Sequence, residues 1–262
     1  MASSLPLRRI AIVTGAASGI GRAIAVRLAN DGFHIALNDL QSSHDGLSKV
    51  ASQINSEAAA GGGEKAKAII VPGDVSSDSD MRNLVSETVK ELGAVDAMVA
   101  NAGIVHVSPI IDMTPDQWDR MLSVHARGVF LCYKHAATQM IKQGRGGRLV
   151  GASSAWGKQG APNVAHYCAA KFAVRGLTQS VAKELGKYGI TANAYAPGIT
   201  RTKLLDDLGS GYGTVLERAI ETEVAMGREG QPEDIANVVS FLLDKRSDYI
   251  TEESSFVGRA WG

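Results

Sequence analysis

The sequence predicts an α/β chain built on a doubly wound, mostly parallel, seven-stranded sheet with helices on both faces. Three observations carry that expectation. Short apolar runs alternate with longer amphipathic segments through nearly all of the 262 residues. The first run, Ile10-Ala11-Ile12-Val13, is apolar at every position, as in a strand buried on both faces. It leads at once into a glycine-punctuated turn and an apolar helical face, the order of a strand–turn–helix unit.

Strands are expected at 9–14, 34–39, 67–72, 95–100, 147–153, 190–195 and, least marked, 254–258. Helices near 19–31, 42–59, 78–92, 115–143, 165–187 and 232–243 cross between them. In the first helix Ile24, Leu28 and the set Ala23, Ala25, Ala29 share one face. The fourth opens on Thr114-Pro115-Asp116-Gln117, a cap, a first-turn proline and a capping-box glutamine. The last opens on Gln231-Pro232-Glu233-Asp234, a proline and two acids where the helix dipole favours them. Gly61-Gly62-Gly63 reads as a surface connector, because the alternation resumes beyond it. Residues 1–262 therefore read as one domain. About 200–230 lacks periodicity, contains Gly209, Gly211 and Gly213, and is a candidate lid over a substrate pocket.

Composition removes several function classes. With 27 basic and 27 acidic residues the net charge is zero, so no global field draws the chain to nucleic acid or membrane. Two cysteines, Cys132 and Cys168, fit a reducing compartment rather than a disulfide framework. There is no apolar run of about 18 residues, and the start of the chain lacks a signal peptide's hydrophobic stretch. A cytoplasmic location is expected. Six histidines include no close ligand pair, so no metal site is expected.

Two motifs carry chemistry. Thr14-Gly15-Ala16-Ala17-Ser18-Gly19-Ile20-Gly21 lies between strand and helix, the context of a Rossmann-type dinucleotide fingerprint. Gly15 permits the tight turn, Gly19 lets backbone approach pyrophosphate, and Gly21 lets helix and strand pack closely. The helix N-terminus then offers N–H groups and a partial positive charge. Asp39, at the end of the second strand, stands where an acid that binds ribose hydroxyls belongs. It would repel a 2′-phosphate, and neither Ser18 nor Leu40 supplies a cation for one. Arg22 follows the last glycine and reads as pointing along the helix surface. The expected cofactor is NAD(H) rather than NADP(H).

The second motif is Tyr167 and Lys171, four apart and so on one helical face, with Ser154 thirteen positions upstream at the end of an apolar strand. An ammonium beside the phenol is expected to lower its pKa towards neutrality. The serine hydroxyl can hold the substrate oxygen that Tyr167 addresses. Proton exchange near neutral pH beside a hydroxyl that positions an oxygen suits reversible carbonyl–alcohol chemistry.

These residues closely resemble the short-chain dehydrogenase/reductases, over about residues 8–250. Thr14–Gly21 resembles the family's cofactor motif, Asp74-Val75 its adenine-contacting pair, and Asn101-Ala102-Gly103 its fourth-strand motif. Ser154, Tyr167 and Lys171 fall at its catalytic spacing, and Pro197-Gly198-Ile199-Thr200-Arg201-Thr202 resembles its stretch at the nicotinamide end, with Pro197, Gly198, Ile199 and Thr202 as cofactor contacts. The resemblance implies that Tyr167 is the acid/base, that Lys171 tunes it and holds the nicotinamide ribose, and that Ser154 orients the substrate. It also implies a homo-oligomer, dimer or tetramer.

Two departures stand out. In Val124-His125-Ala126-Arg127-Gly128-Val129-Phe130, His125 replaces the family's catalytic asparagine, which helps hold a water linking the lysine to solvent. His125 either takes over that relay through a ring nitrogen or merely fills the space. At the C-terminus Glu252 replaces a usual glycine and Arg259-Ala260 a usual Asp-Gly pair. Around the substrate, Trp156 reads as a pocket wall, His106 as a possible lining residue, Met226 as lid-covered or core, and His166 as surface or core. The stretch Lys171–Gln179 and Gly189-Ile190-Thr191 look most like acetoin (diacetyl) reductases and 2,3-butanediol dehydrogenases. That favours a small diketone or hydroxyketone substrate. A larger ketone, a sugar or a 3-ketoacyl substrate is the alternative, as is a dinucleotide-binding regulator without turnover.

Overall fold

A computed structural model describes residues 8–56, 65–206, 218, 220–222 and 224–258. In chain order the elements are β1 (Arg9–Thr14), α1 (Gly19–Asn30), β2 (Phe33–Asn38), α2 (His44–Ser56), β3 (Ala68–Ile70), α3 (Asp78–Leu92) and β4 (Ala97–Ala100). Then follow α4 (Pro115–Leu122), α5 (Gly128–Gln143), β5 (Gly147–Ala152), α6 (Ala165–Leu185), β6 (Ile190–Pro197), α7 (Lys203–Asp206), α8 (Pro232–Leu243) and β7 (Ser254–Val257).

The seven strands form one sheet in the order β3-β2-β1-β4-β5-β6-β7, with every pairing parallel. Alternate residues of one strand serve opposite faces. Val13 of β1 joins Leu37, Ile24, Leu28, Leu47, Val239 and Leu242 under α1, α2 and α8. Its neighbour Ile12 joins Met98, Leu149, Leu84, Leu131, Met140 and Val174 under α3, α5 and α6. Each such side chain taken fully out of water contributes about 1.5–3 kcal/mol. Order reverses between β1 and β4, so the crevice at the carboxyl ends of those strands is where such a sheet binds ligands.

The helix starts obey local chemistry. Thr114 Oγ1 accepts from Gln117 N at 3.2 Å and Gln117 Oε1 accepts from Thr114 N at 2.9 Å, a reciprocal cap. Gln231 and Asp234 form a second reciprocal cap before α8. The structure departs from the sequence reading in one place that matters. The segment expected as a single helix over 115–143 contains a π turn at Ser123–Arg127 between α4 and α5. The helix expected over 165–187 ends at Leu185, with a 3-10 turn over Gly186–Tyr188. Helix α2 is preceded by a 3-10 turn at Gln41–Ser43. The triple glycine at 61–63, residues 207–217, 219 and 223 of the candidate lid, and the tail residues from Arg259 onward lie outside the described residues. Among the described residues no helix is long and apolar enough to cross a membrane.

Candidate active site

The glycine turn is built as a backbone cradle. Gly15 and Gly19 hold φ of +66° and +52°, the left-handed region. A Cβ on Gly21 would stand 2.0 Å from the Gly15 carbonyl oxygen and 2.6 Å from Asn101 Nδ2, so only glycine fits. Ser18 caps α1 through its backbone but makes no side-chain capping bond, which leaves the helix's first N–H groups directed outward. Thr202 leans over the turn: its Cγ2 would lie 3.3 Å from a Cβ on Gly19. Ile20 is half-buried beside the turn. A cleft of about 560 Å³ beside it is lined by Gly19, Arg22, Arg201, Thr202 and Lys203, among others.

Thr14 ties this turn to β4. Its hydroxyl accepts the Asn101 and Ala102 N–H groups, both at 3.0 Å. Asn101 Nδ2 in turn donates to the Thr14 carbonyl at 2.9 Å, and Asn101 Oδ1 accepts from Tyr195 OH at 2.8 Å. Tyr195, fully buried in β6, was not singled out in sequence; its one signal is a lone aromatic in an Ala-rich strand. Asp39 reaches back to the turn, its Oδ2 accepting Ala17 N–H at 3.1 Å and its Oδ1 the Leu40 N–H at 2.8 Å. Arg22 instead turns to α2, donating to Gln53 Oε1 at 3.1 Å. The Asp74 carboxylate accepts from Ser76 N and Oγ at 2.8 and 2.7 Å, with Arg120 at 3.4 Å, and Val75 packs against Gly128. Pro197 ends β6; Gly198 N–H donates to the Val257 carbonyl, and the Ile199 carbonyl accepts from Gly230. Strand ends, glycine cradle and carboxylate thus converge at the β1/β4 crevice, and the residues present fit a bound dinucleotide.

Next to that crevice, α6 begins at Ala165 and carries Tyr167 in its first turn and Lys171 one turn on. Ser154 follows β5 and caps a 3-10 turn, its Oγ accepting Trp156 N–H at 3.2 Å. Lys171 is 3% exposed and donates from Nζ to the Ala152 carbonyl at 2.7 Å. Burial brings its pKa down to about 7. Burial pushes the Tyr167 phenol the other way, up to about 12, while a hydrogen bond from Ser154 partly offsets it. The sequence reading expected the reverse for Tyr167. The physical reason is that desolvation of the phenolate outweighs a Lys171 ammonium which burial itself disfavours and which points at Ala152, 5.4 Å from the ring centroid.

Two aromatic rings stand edge-on to Tyr167: His125 at 5.1 Å and Trp156 at 6.0 Å between centroids. His125 comes from the π turn and is 1% exposed; its Nε2 lies 2.7 Å from the Ile104 carbonyl oxygen. A Cβ on Gly103 would stand 2.6 Å from His125 Cε1, so this glycine makes the room for the ring. Gly103→Ala is therefore expected to cost about 1–3 kcal/mol by overpacking, read as a lowered urea midpoint; an unchanged midpoint would place the ring elsewhere. His106 is exposed and meets His166 rather than Tyr167, at 6.0 Å edge-on. His166 proves completely buried, and Met226 is 72% exposed rather than covered.

Both buried imidazoles resist protonation. Burial, then the Lys171 charge, holds His125 well below 6.5, and burial, then His106, lowers His166. Unfolded imidazoles near 6.5 bind more protons than these native ones, so stability falls as pH drops below that value. Melting temperatures taken downward from pH 7.5 should show this loss, and His125→Asn should make it shallower.

Comparisons with known proteins fit this geometry. Over residues 15–258 the chain matches a family model described as enoyl-(acyl carrier protein) reductase. A short-chain dehydrogenase/reductase of Armillaria gallica is 45% identical over 255 residues, spanning 96% of this chain and 95% of the relative. The (S)-acetoin-forming diacetyl reductase of Staphylococcus epidermidis is 36% identical over 257 residues, spanning 95% of this chain and 96% of that one. A crystal structure of a short-chain type dehydrogenase/reductase from Mycobacterium marinum superposes with a TM-score of 0.86 at 33% identity, over 95% of this chain and 94% of that one. Matched from its glycine turn to its last strand, the chain belongs to the short-chain dehydrogenase/reductase family, oxidoreductases that work with a nicotinamide dinucleotide.

Proposed function

We propose that the chain is a single-domain, NAD(H)-preferring reductase that interconverts a small diketone or hydroxyketone with its secondary alcohol. The observation that carries the reading is the meeting of Ser154, Tyr167 and Lys171 beside the glycine cradle. When bound, the nicotinamide supplies or accepts the hydride. The cradle at Gly15–Gly21 holds the pyrophosphate, Asp39 the adenosine ribose, Asp74-Val75 the adenine, and Asn101–Gly103 with Pro197–Thr202 the nicotinamide end. Ser154 donates to the substrate oxygen and fixes it next to Tyr167. Tyr167 gives its proton to that oxygen in reduction and takes one in oxidation. Lys171 holds the nicotinamide ribose. His125 returns protons to this group in place of the family's asparagine.

The raised phenol pKa means that Tyr167 keeps its proton through neutral pH, the state reduction needs. Reduction is therefore expected to hold level through neutral pH, whereas oxidation, which needs the phenolate, climbs with pH. Opposite slopes in paired pH–rate profiles would reject that assignment.

Trp156 and His125 wall the phenol closely on two sides, which supports a small substrate, as does the 36% identity to a diacetyl reductase. Oxidation of NADH and NADPH with diacetyl, acetoin and larger ketones tests the reading directly. Diacetyl turnover with NADH supports it; turnover of larger ketones alone overturns the small-substrate part. Preference for NADH rests on Asp39 and on an Arg22 committed to Gln53. Asp39→Ala with Leu40→Arg should shift the NADH/NADPH kcat/KM ratio towards NADPH by about 10²-fold, the scale of one charge-assisted pair gained and one repulsion removed. A wild type already preferring NADPH would sink it. A lid over about 200–230, a homo-oligomer and a cytoplasmic location complete the proposal.

A further inference from the structure

All seven strands run parallel, so their carboxyl ends carry the dinucleotide crevice and their amino ends share the opposite edge of the sheet. A six-residue strand such as β5 sets the two edges about 20 Å apart. The far edge is hollowed into a cleft of about 730 Å³. Arg9 opens β1, Arg148 is the second residue of β5, Thr191 is the second of β6, and all three line the cleft. Arg145, in the turn before β5, and Lys245, just after α8, bring the lining cations to four, against the two carboxylates of Asp96 and Asp248.

These carboxylates leave the cations incompletely matched. Asp96 holds Arg145 at 2.7 Å and also accepts the Ile10 N–H at 2.8 Å, which commits it to the sheet. Asp248 pairs with Arg148, but its side chain is 71% exposed and can swing away at little cost. Asp244, close to Arg9, is taken by Arg246 at 2.9 Å. Arg9 gives its guanidinium to the Leu243 carbonyl and to the face of Phe33, 4.1 Å from the ring centroid. The Lys245 side chain is exposed and has no ion pair or hydrogen bond among the described residues.

Two buried groups at this edge also lack partners. β5 and β6 pair Arg148 with Thr191, so the two side chains stand next to each other on one face of the sheet. Arg148 Nε and the Thr191 hydroxyl are both shut from water, and neither bonds to the other or to any described residue. Thr191 is 8% exposed, and a valine would fill its place without burying a hydroxyl. Unpaired buried polar groups are costly and call for an acceptor. An acceptor with several oxygens, admitted as Arg148 leaves Asp248, would satisfy both at once. A phosphate group has those oxygens, brings close to two negative charges at neutral pH, and fits a guanidinium through two parallel N–H bonds. Tyr249, fully exposed in the same lining, offers a flat ring to whatever the phosphate carries.

We infer that this cleft is a binding site for a phosphate monoester, separate from the dinucleotide crevice. Arg148, Thr191, Arg145 and Lys245 take the phosphate, and Tyr249 covers the organic group attached to it. Inorganic phosphate shares the first half of that chemistry. Binding is reversible, and no covalent bond forms or breaks.

Calorimetric titration with inorganic phosphate and with phenyl phosphate tests the site, at an ionic strength held constant with chloride. Both should bind saturably, phenyl phosphate the more tightly, and both should still bind when NADH is present. Binding that NADH abolishes would belong to the glycine turn and would overturn the cleft as a site. Lys245→Gln, at an exposed position, should weaken both probes by about tenfold, the scale of one hydrogen bond between charged groups. Thr191→Val should weaken them similarly while raising the urea midpoint of the phosphate-free protein, because an unpaired buried hydroxyl is gone. Tyr249→Ala should weaken phenyl phosphate alone. Equal affinity for the two probes would assign the site to free phosphate and strike the monoester. No saturable binding, or affinities indifferent to both Lys245 and Thr191, would overturn the site itself.

Discussion

Tyr167→Phe is expected to lower turnover by about 10³-fold while leaving the fold and the cofactor affinity close to wild type. The substitution removes one oxygen. The ring that remains still packs edge-on against His125 and Trp156, so the walls of the site stay in place. What disappears is the only group on α6 that the reading allows to exchange a proton with the substrate oxygen. Ser154 would still hold that oxygen, and Lys171 would still donate to the Ala152 carbonyl. Steady-state turnover against the wild-type substrate reads the loss, and NADH fluorescence titration reads the retained binding. A variant that binds NADH and keeps even a tenth of its turnover would remove Tyr167 from the chemistry.

The second large effect belongs to Gly21→Ala. A methyl group there meets backbone, the Gly15 carbonyl at 2.0 Å, and the Asn101 amide at 2.6 Å, and neither can swing away. Asn101 is fixed by Thr14 and by Tyr195, so the clash spreads into the tie between β1, β4 and β6. Destabilisation of about 3 kcal/mol, the upper end for overpacking, is expected with loss of dinucleotide binding. Gly160→Ala supplies the control, because a methyl there meets nothing within 4 Å among the described residues. Urea unfolding of the two variants side by side, with NADH titration, checks the contrast. Equal midpoints would mean that the turn yields far more easily than its contacts imply.

Much of the architecture was legible because it is written in local chemistry. β1 runs over Arg9–Thr14 as its unbroken apolar pattern requires, and α4 starts where Thr114 and Gln117 can cap each other. The approach of Ser154, Tyr167 and Lys171 was legible for the same reason, since one helix and one strand end carry all three. What the sequence hides is whatever depends on tertiary surroundings. The π turn at Ser123–Arg127 has no local signal, because the apolar spacing runs through it. His166 looks like any helical histidine until the packing that buries it is known. The direction of the Tyr167 pKa followed from burial, whereas spacing alone speaks only of the nearby charge. Tyr195 carries no motif at all, and its importance is visible only through Asn101.

The π turn has a consequence for how this chain tolerates length changes. A π turn is one residue inserted into otherwise regular α-helical winding. Deleting a single residue between Ser123 and Arg127 would let α4 and α5 merge into one regular helix without turning either against the other, because the π turn spends its extra residue within a single wide turn. Val129, Leu131, Cys132 and Met140 would then keep their places in the interior, whereas the wide turn that carries His125 to Ile104 would be lost. A deletion at this one site would leave the hydrophobic interior in register and fall on the histidine beside Tyr167.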